Sequence, residues 1–152
     1  MINVGTNSYV DLEYADKYFS ERLNAEKWIS SIVEQKSQAL VTATKKIDRQ
    51  IFTGMKADLS QKLQFPRKYY SYSIGQLVTQ ITVPDEVKNA VCEESLALLQ
   101  FGNSKRVKLQ QEGVTSMSLG NMSESYSCKI KKILSDEARE LIQAFLGSVN
   151  IC

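Results

Sequence analysis

The chain has 152 residues and a mass of 17.2 kDa, the usual size of one domain, with 43% hydrophobic and 24% charged residues and a net charge of +2. That balance excludes wholesale disorder, and no run of about 18 apolar residues is present to make a transmembrane helix. Histidine is absent, which excludes a Ser-His-Asp or Cys-His nucleophile pair and any zinc site that needs imidazole.

The opening Met-Ile-Asn-Val-Gly-Thr lacks a basic stretch and an apolar core, so no signal peptide is expected there. Residues 1–10 read as an extended lead-in. Asp11 is a helix cap, followed by Leu12, Ala15, Phe19 and Leu23 at helical spacing, with Tyr14 and Tyr18 at the edge of that stripe. Asn24 to Trp28 suggest a short second helix anchored by Trp28. Ser31 and Glu34 have the capping-box spacing, and Ile32, Ala39, Leu40, Ala43, Ile47 and Ile51 predict a helix over about 32–50 that Gly54 ends.

Residues 55–83 show no sustained period and read as a long connection, either functional or folded against the core. Pro84-Asp85-Glu86 opens the next helix, whose wide apolar face (Val87, Ala90, Val91, Leu98, Phe101, with Leu96, Ala97 and Leu99) predicts deep burial of its second half, and Gly102-Asn103 stops it. Between about 107 and 127 the period changes, and Gly120-Asn121 between two short extended runs predicts a β-hairpin. Ser135 caps a last helix over about 135–147, carrying Ala138, Leu141, Ile142, Phe145 and Leu146. The expected fold is mainly α: one domain over 1–152, a small bundle of four to five helices with a β-hairpin before the C-terminal helix.

Chemistry-bearing residues are sparse. Cys92, Cys128 and Cys152 are odd in number and far apart, as expected of free thiols in a reducing compartment rather than a disulfide framework. No glycine-rich phosphate loop occurs. Asp85-Glu86, Glu93-Glu94 and Asp136-Glu137 are adjacent on helices, where side chains diverge by about 100° and do not converge on a substrate or metal. Tyr69, Tyr70 and Tyr72 beside Arg67 and Lys68 admit three readings, in this order: packing onto the core, a protein interface, or a stacking platform for single-stranded bases.

The small net charge conceals a block pattern. Residues 1–40, 41–75, 76–104, 105–134 and 135–152 carry −2, +5, −3, +4 and −2. Lys105, Arg106, Lys108, Lys129, Lys131 and Lys132 flank the expected hairpin, and they are candidates for contact with phosphate or with an acidic face of a neighbouring subunit. Ordinary solvated surface accounts for them equally well. A pI near 8.4 is low for a tight nucleic-acid binder.

Several segments together carry a resemblance. They are Tyr14-Ala15-Asp16-x-Tyr18-Phe19 with Glu21-Arg22, Trp28, Lys36-x-x-Ala39-Leu40-x-x-Ala43-Thr44-x-x-Ile47-Asp48, and Phe52-x-Gly54. Leu63-x-Phe65-Pro66-Arg67, Val83-Pro84-x-x-Val87-Lys88-x-Ala90 with Glu93, and Gly113 to Gly120 leading to Tyr126 complete the series. In order and spacing the chain resembles, over about residues 7–146, the tailed-phage and prophage proteins of the DnaT-like single-stranded-DNA-binding family, which are similar to head–tail connector adaptors.

The resemblance implies a structural virion protein of the head–tail neck, made in the bacterial host cytoplasm, with no enzymatic activity and no cofactor or metal. Such adaptors form a homo-oligomeric ring, typically a dodecamer, beneath the portal. They extend the DNA channel and seat the stopper or tail-completion protein, with transient non-specific contact to passing double-stranded DNA and no membrane. The family label implies an alternative, a single-stranded-DNA-binding accessory protein of phage replication. On the adaptor reading Lys105, Arg106, Lys108, Tyr126, Lys129, Lys131 and Lys132 are interface or channel residues. Trp28, Asp48, Phe65, Pro66 and Arg67 are structural, Asp48 and Arg67 pairing to hold the long connection.

Overall fold

A computed structural model describes residues 1–102, 116–119, 122–125 and 134–147. Among them are five α-helices: α1 (Leu12–Ser20), α2 (Glu26–Ile29), α3 (Val33–Asp48), α4 (Asp85–Phe101) and α5 (Asp136–Ile142), the last followed by a 3₁₀ turn, Gln143–Phe145. Strands β1 (Met55–Lys56), β2 (Arg67–Ser71) and β3 (Gln76–Thr79) form an antiparallel sheet in that order, and β4 (Ser116–Leu119) pairs with β5 (Met122–Ser125). Nearly half of the described residues are helical, so the chain is mixed α and β rather than mainly α. The difference lies in residues 55–79. Strands of two, five and four residues are too short to leave a period in a sequence window.

The hairpin expected over 107–127 is present in its described part, with Ser116 opposite Ser125 and Leu119 opposite Met122. No described helix is long and apolar enough to cross a membrane.

α4 is the hub, and α1, α2, α3 and α5 all pack on it. Val87 and the run from Ala90 to Leu96 are buried, so burial peaks at the helix centre rather than in its second half, and Phe101 emerges into solvent. Ala39, Leu40, Ala43 and Ile47 of α3 and Ala138 and Ile142 of α5 complete that interior. Small residues on both α3 and α4 let the two backbones approach closely.

Two adjacent carboxylates sit within this apolar interior. Glu93 accepts from the Tyr18 hydroxyl (2.7 Å) and from Arg22 Nε (2.5 Å), tying α4 to the α1 side. Glu94, its side chain only 2% exposed, accepts from Lys46 Nζ of α3 (2.5 Å) and from the backbone N–H of Ser135 at the start of α5 (2.7 Å). Their divergence along the helix is what lets neighbouring residues serve opposite sides of the bundle.

The helix ends hold particulars that the sequence pattern misplaced. Asp11 caps α1 by accepting from the Tyr14 N–H at 2.8 Å, as expected, but α1 ends at Ser20, so Leu23 lies beyond it and is 85% exposed. The capping box does not form. Ile32 is the N-cap of α3, and Ser31 Oγ instead donates to the Lys27 carbonyl at the end of α2. Arg49, not Gly54, closes α3, and Pro84 stands at the N-cap of α4 rather than inside it. Trp28 is buried against Phe19, with ring centroids 4.6 Å apart. Its indole N–H donates to Asp16 at 2.8 Å, and Lys36 bonds the same oxygen at 2.9 Å while lying over the ring.

Two measurements check this scheme. Replacing Glu94 with Gln leaves Lys46 without its counter-charge, and we expect a loss of about 2–3 kcal/mol in urea unfolding followed by the single tryptophan, Trp28. Burial raises the Asp16 carboxyl, but the bonds from Lys36 and Trp28 outweigh it and hold the group below its usual range. Its folded-state value is thus depressed, so its contribution exists above about pH 4 and fades as the pH falls through the lower folded value. Trp28 emission should change in that acid window, and Asp16→Asn should remove the change.

Candidate functional site

The three-stranded sheet has two unlike faces. Side chains alternate along β2, so Arg67, Tyr69 and Ser71 turn to one side while Lys68 and Tyr70 turn to the other. Register carries the division across the sheet: Met55 lies opposite Lys68, Lys68 opposite Thr79, and Tyr70 opposite Leu77. Gly54 makes the first pairing feasible. Its φ is +75°, and a Cβ there would stand 2.2 Å from the Lys68 carbonyl oxygen.

The inward face is a fully bonded anchor. Arg67 Nε donates to the Thr53 carbonyl (3.0 Å), Nη1 to the carbonyl (3.3 Å) and Oε1 (2.7 Å) of Gln64, and Nη2 to the carbonyls of Phe52 (3.3 Å) and Gly54 (2.7 Å). Five acceptors match the five N–H groups of a guanidinium, which leaves Arg67 no donor for an anionic ligand. Burial pushes its pKa down, with Tyr9 and Asp48 nearby acting in the other direction. The guanidinium also lies over the rings of Phe52 and Phe65. Phe65, joined by a cis bond to Pro66, contacts Tyr9, Phe52 and Phe145 edge-on, so one ring joins the lead-in, the segment after α3 and the C-terminal turn. A cavity of about 270 Å³ lies here, lined by Arg67, Tyr69, Tyr70 and Phe145 among others.

Asp48 and Arg67 do not bond each other. Both bond Gln64: its N–H donates to Asp48 Oδ1 at 3.2 Å, and its carbonyl and side chain receive Arg67. The Tyr9 hydroxyl donates to Asp48 and accepts from the N–H groups of Gln64 (3.0 Å) and Phe65 (3.2 Å). Burial raises the pKa of Asp48, partly offset by those bonds, and burial next to Asp48 pushes the Tyr9 phenol well above its ordinary value. This is a structural clasp around residues 64–67.

The outward face is open. Met55, Tyr70 and Leu77 are exposed, Lys68 is partly so, and Tyr72, just past β2, is 91% exposed. Tyr70 and Tyr72 meet edge to face with centroids 5.1 Å apart. Of the three tyrosines only Tyr69 turns inward, where it is partly buried and lines the cavity, and none of the three belongs to the apolar core. A second group of exposed apolar residues, unforeseen in the sequence, lies in and beside α2, namely Leu23, Ile29, Ile32 and Val33, with Glu21, Glu26 and Glu34 exposed near them in sequence. Such areas mark contact surfaces.

Trp28, Phe65 and Arg67 are buried, and Asp48 and Pro66 are partly buried. Lys105, Arg106, Lys108, Tyr126, Lys129, Lys131 and Lys132 lie outside the described residues. Among the described residues no three Cys, Asp or Glu side chains gather where a metal ion could be held. Cys92 is buried, and its thiol is pushed up by that burial and by Glu93. Sequence reading missed the sheet face, although its signals were present: Lys68, Tyr70 and Tyr72 alternate with Arg67, Tyr69 and Ser71, and Gly75 sits in a short link before Leu77.

A family model described as "Putative DnaT-like ssDNA binding protein" matches residues 1–150. The chain belongs to that family. No curated protein and no solved structure matches it significantly. Within this DnaT-like chain, Arg67 and Lys68 are adjacent yet unlike: one cation is consumed by the fold, and the other is carried on the outward face, partly exposed and near Asp58.

Arg67→Lys tests the anchor. A lysine cannot reproduce the planar fork, so several carbonyls lose their donor, and we expect a cost of about 2–4 kcal/mol. Near-ultraviolet circular dichroism of the tyrosines during urea unfolding would register it.

Proposed function

We propose that this DnaT-like protein is a structural virion component, a head–tail connector adaptor with no enzymatic activity. It forms a ring, dodecameric on the resemblance, under the portal, extends the DNA channel, and seats the stopper or tail-completion protein. The observation that supports this most is the pair of open apolar surfaces, one on the sheet and one around α2, on a tightly bonded helical body. A ring needs a heterologous interface, in which one face of a subunit meets a different face of the next. Two separate surfaces on one small chain meet that requirement. A channel through which DNA slides should not grip it, and a net charge of +2 agrees with that. On this reading the chain is made in the bacterial host cytoplasm and ends in the neck of the virion. The basic residues flanking the hairpin line the channel or an interface.

A second reading has its own support. The family description names single-stranded DNA, and Lys68 with Tyr70 and Tyr72 is the type of basic, aromatic surface on which bases stack. On that reading the chain is an accessory factor of phage replication.

One pair of experiments separates the two. Mixed with purified portal, the chain should appear in electron micrographs as an added ring on the portal's tail-facing side. A chain that stays monomeric in the portal's presence counts against the adaptor. A labelled oligothymidylate should show little anisotropy change at low salt. Tight binding that weakens by about 0.7 log unit per log unit of salt for each phosphate neutralised would favour the replication role.

A further inference from the structure

The adaptor reading leaves open which faces of the subunit meet. We infer that the open sheet face of one copy, centred on Tyr70, Tyr72 and Leu77, docks on the α2 corner of the next copy, centred on Leu23, Ile29 and Ile32. This rests on the assembly reading above and specifies its interface.

Both surfaces have an apolar centre with a charged rim, which is how protein interfaces are built. The rims are of opposite sign. Around the sheet stand Lys68 and the exposed Lys62, with Asp58, the only acid over residues 52–80, near Lys68; Lys56 lies opposite Arg67 on the inward side and donates to the carbonyls of Gln61 and Lys62. Around the α2 corner stand Glu21, Glu26 and Glu34, with Lys27 the exposed cation among them. Lys36 and Arg22, which would otherwise offset that acidity, are occupied by Asp16 and Glu93. Opposite rims attract and fix orientation.

The same charges reject the alternatives. Sheet against sheet brings Lys68 towards Lys68, and corner against corner brings Glu26 towards Glu26, so both two-fold arrangements place like charges together. Sheet on corner is the arrangement that pairs apolar centres and opposite rims, and it is heterologous, the type that closes into rings. The area is adequate as well. Tyr70 and Tyr72, at 50% and 91% exposure, present on the order of 300 Å² of the roughly 800 Å² per partner in a standard interface. Met55, Ile74 and Leu77 add to it.

Sedimentation equilibrium of the full chain over a concentration series tests the pairing, with Trp28 fluorescence to verify that each variant is folded. Lys68→Glu and Glu26→Lys should each weaken self-association about tenfold, and the chain carrying both changes should recover to within about threefold of the unaltered protein. Tyr72→Ala should weaken association without altering urea stability, since the ring is almost wholly in solvent. If the unaltered chain associates and both reversals leave association unchanged, this docking is wrong while ring assembly itself stands. If both reversals weaken it but the double change gives no recovery, the two residues do not face each other and the inference also fails. A chain that remains monomeric at millimolar concentration overturns the docking outright, whereas the adaptor role is decided separately by the portal micrographs.

Discussion

The arrangement of this protein depends on two carboxylates buried side by side at the centre of α4. An ionised group inside an apolar core is tolerable only when it is paired and its oxygens are bonded. Glu93 satisfies that need through Tyr18 and Arg22, and Glu94 through Lys46 and the Ser135 N–H. Apolar packing of Ala43, Ala90, Val91 and Ile142 draws the helices together but is indifferent to small rotations. The acids are not indifferent. Sliding α3 or α5 by one turn would strand Glu94, and rotating α1 would strand Glu93, so the ion pairs fix a register that hydrophobic contact alone leaves loose.

Around that hub the molecule separates residues that hold from residues that present. Arg67 spends every donor on carbonyls and the side chain of Gln64, and Phe65 locks the strand to Tyr9, Phe52 and Phe145. Lys68, one position along, is carried on the opposite face by strand alternation alone. The rigid inward face therefore sets the position of the outward one. The C-terminal turn contributes too: the Thr53 N–H donates to the Phe145 carbonyl and the Gly147 N–H to the Ile51 carbonyl, both at 2.9 Å. Consequently α5, fixed by Glu94, and the sheet, fixed by Arg67, are linked through the backbone.

The longer helices were legible in the sequence because they span enough turns for apolar spacing to accumulate, α2 only through its Trp28 anchor, and Asp11 and Ser135 are chemical caps with a bond to make. The misreadings share one cause. Ser31 has two kinds of partner within reach, the free N–H groups at the start of α3 and the Lys27 carbonyl of α2, and its hydroxyl donates to the latter. Leu23, Ile32 and Ile51 fit a helical stripe in spacing, but each falls beyond a helix end, where periodicity no longer determines direction. The sheet escaped notice because its strands, of two, five and four residues, are shorter than any reliable period. The expected Asp48–Arg67 pair is replaced by a mediator, Gln64, an unremarkable residue whose backbone supplies most of the bonding to both.

Low net charge and strong local charge act together at the surface. With a formal charge of +2, copies of the chain experience little overall repulsion, so close approach is not opposed at long range. At contact distance the alternating blocks take over, because within about a Debye length the sign of the facing rim decides whether the approach is productive. A uniformly basic surface would bind DNA at any orientation and repel its own copies. On the docking proposed above, an excess of cations at one surface and of acids at the other would instead favour one relative orientation of like subunits. In the assembly proposed above, that charge pattern would restrict how subunits meet, and the buried acids of α4, by fixing the helix register, would hold the two faces at a set angle, the condition for a ring to close rather than grow into a filament.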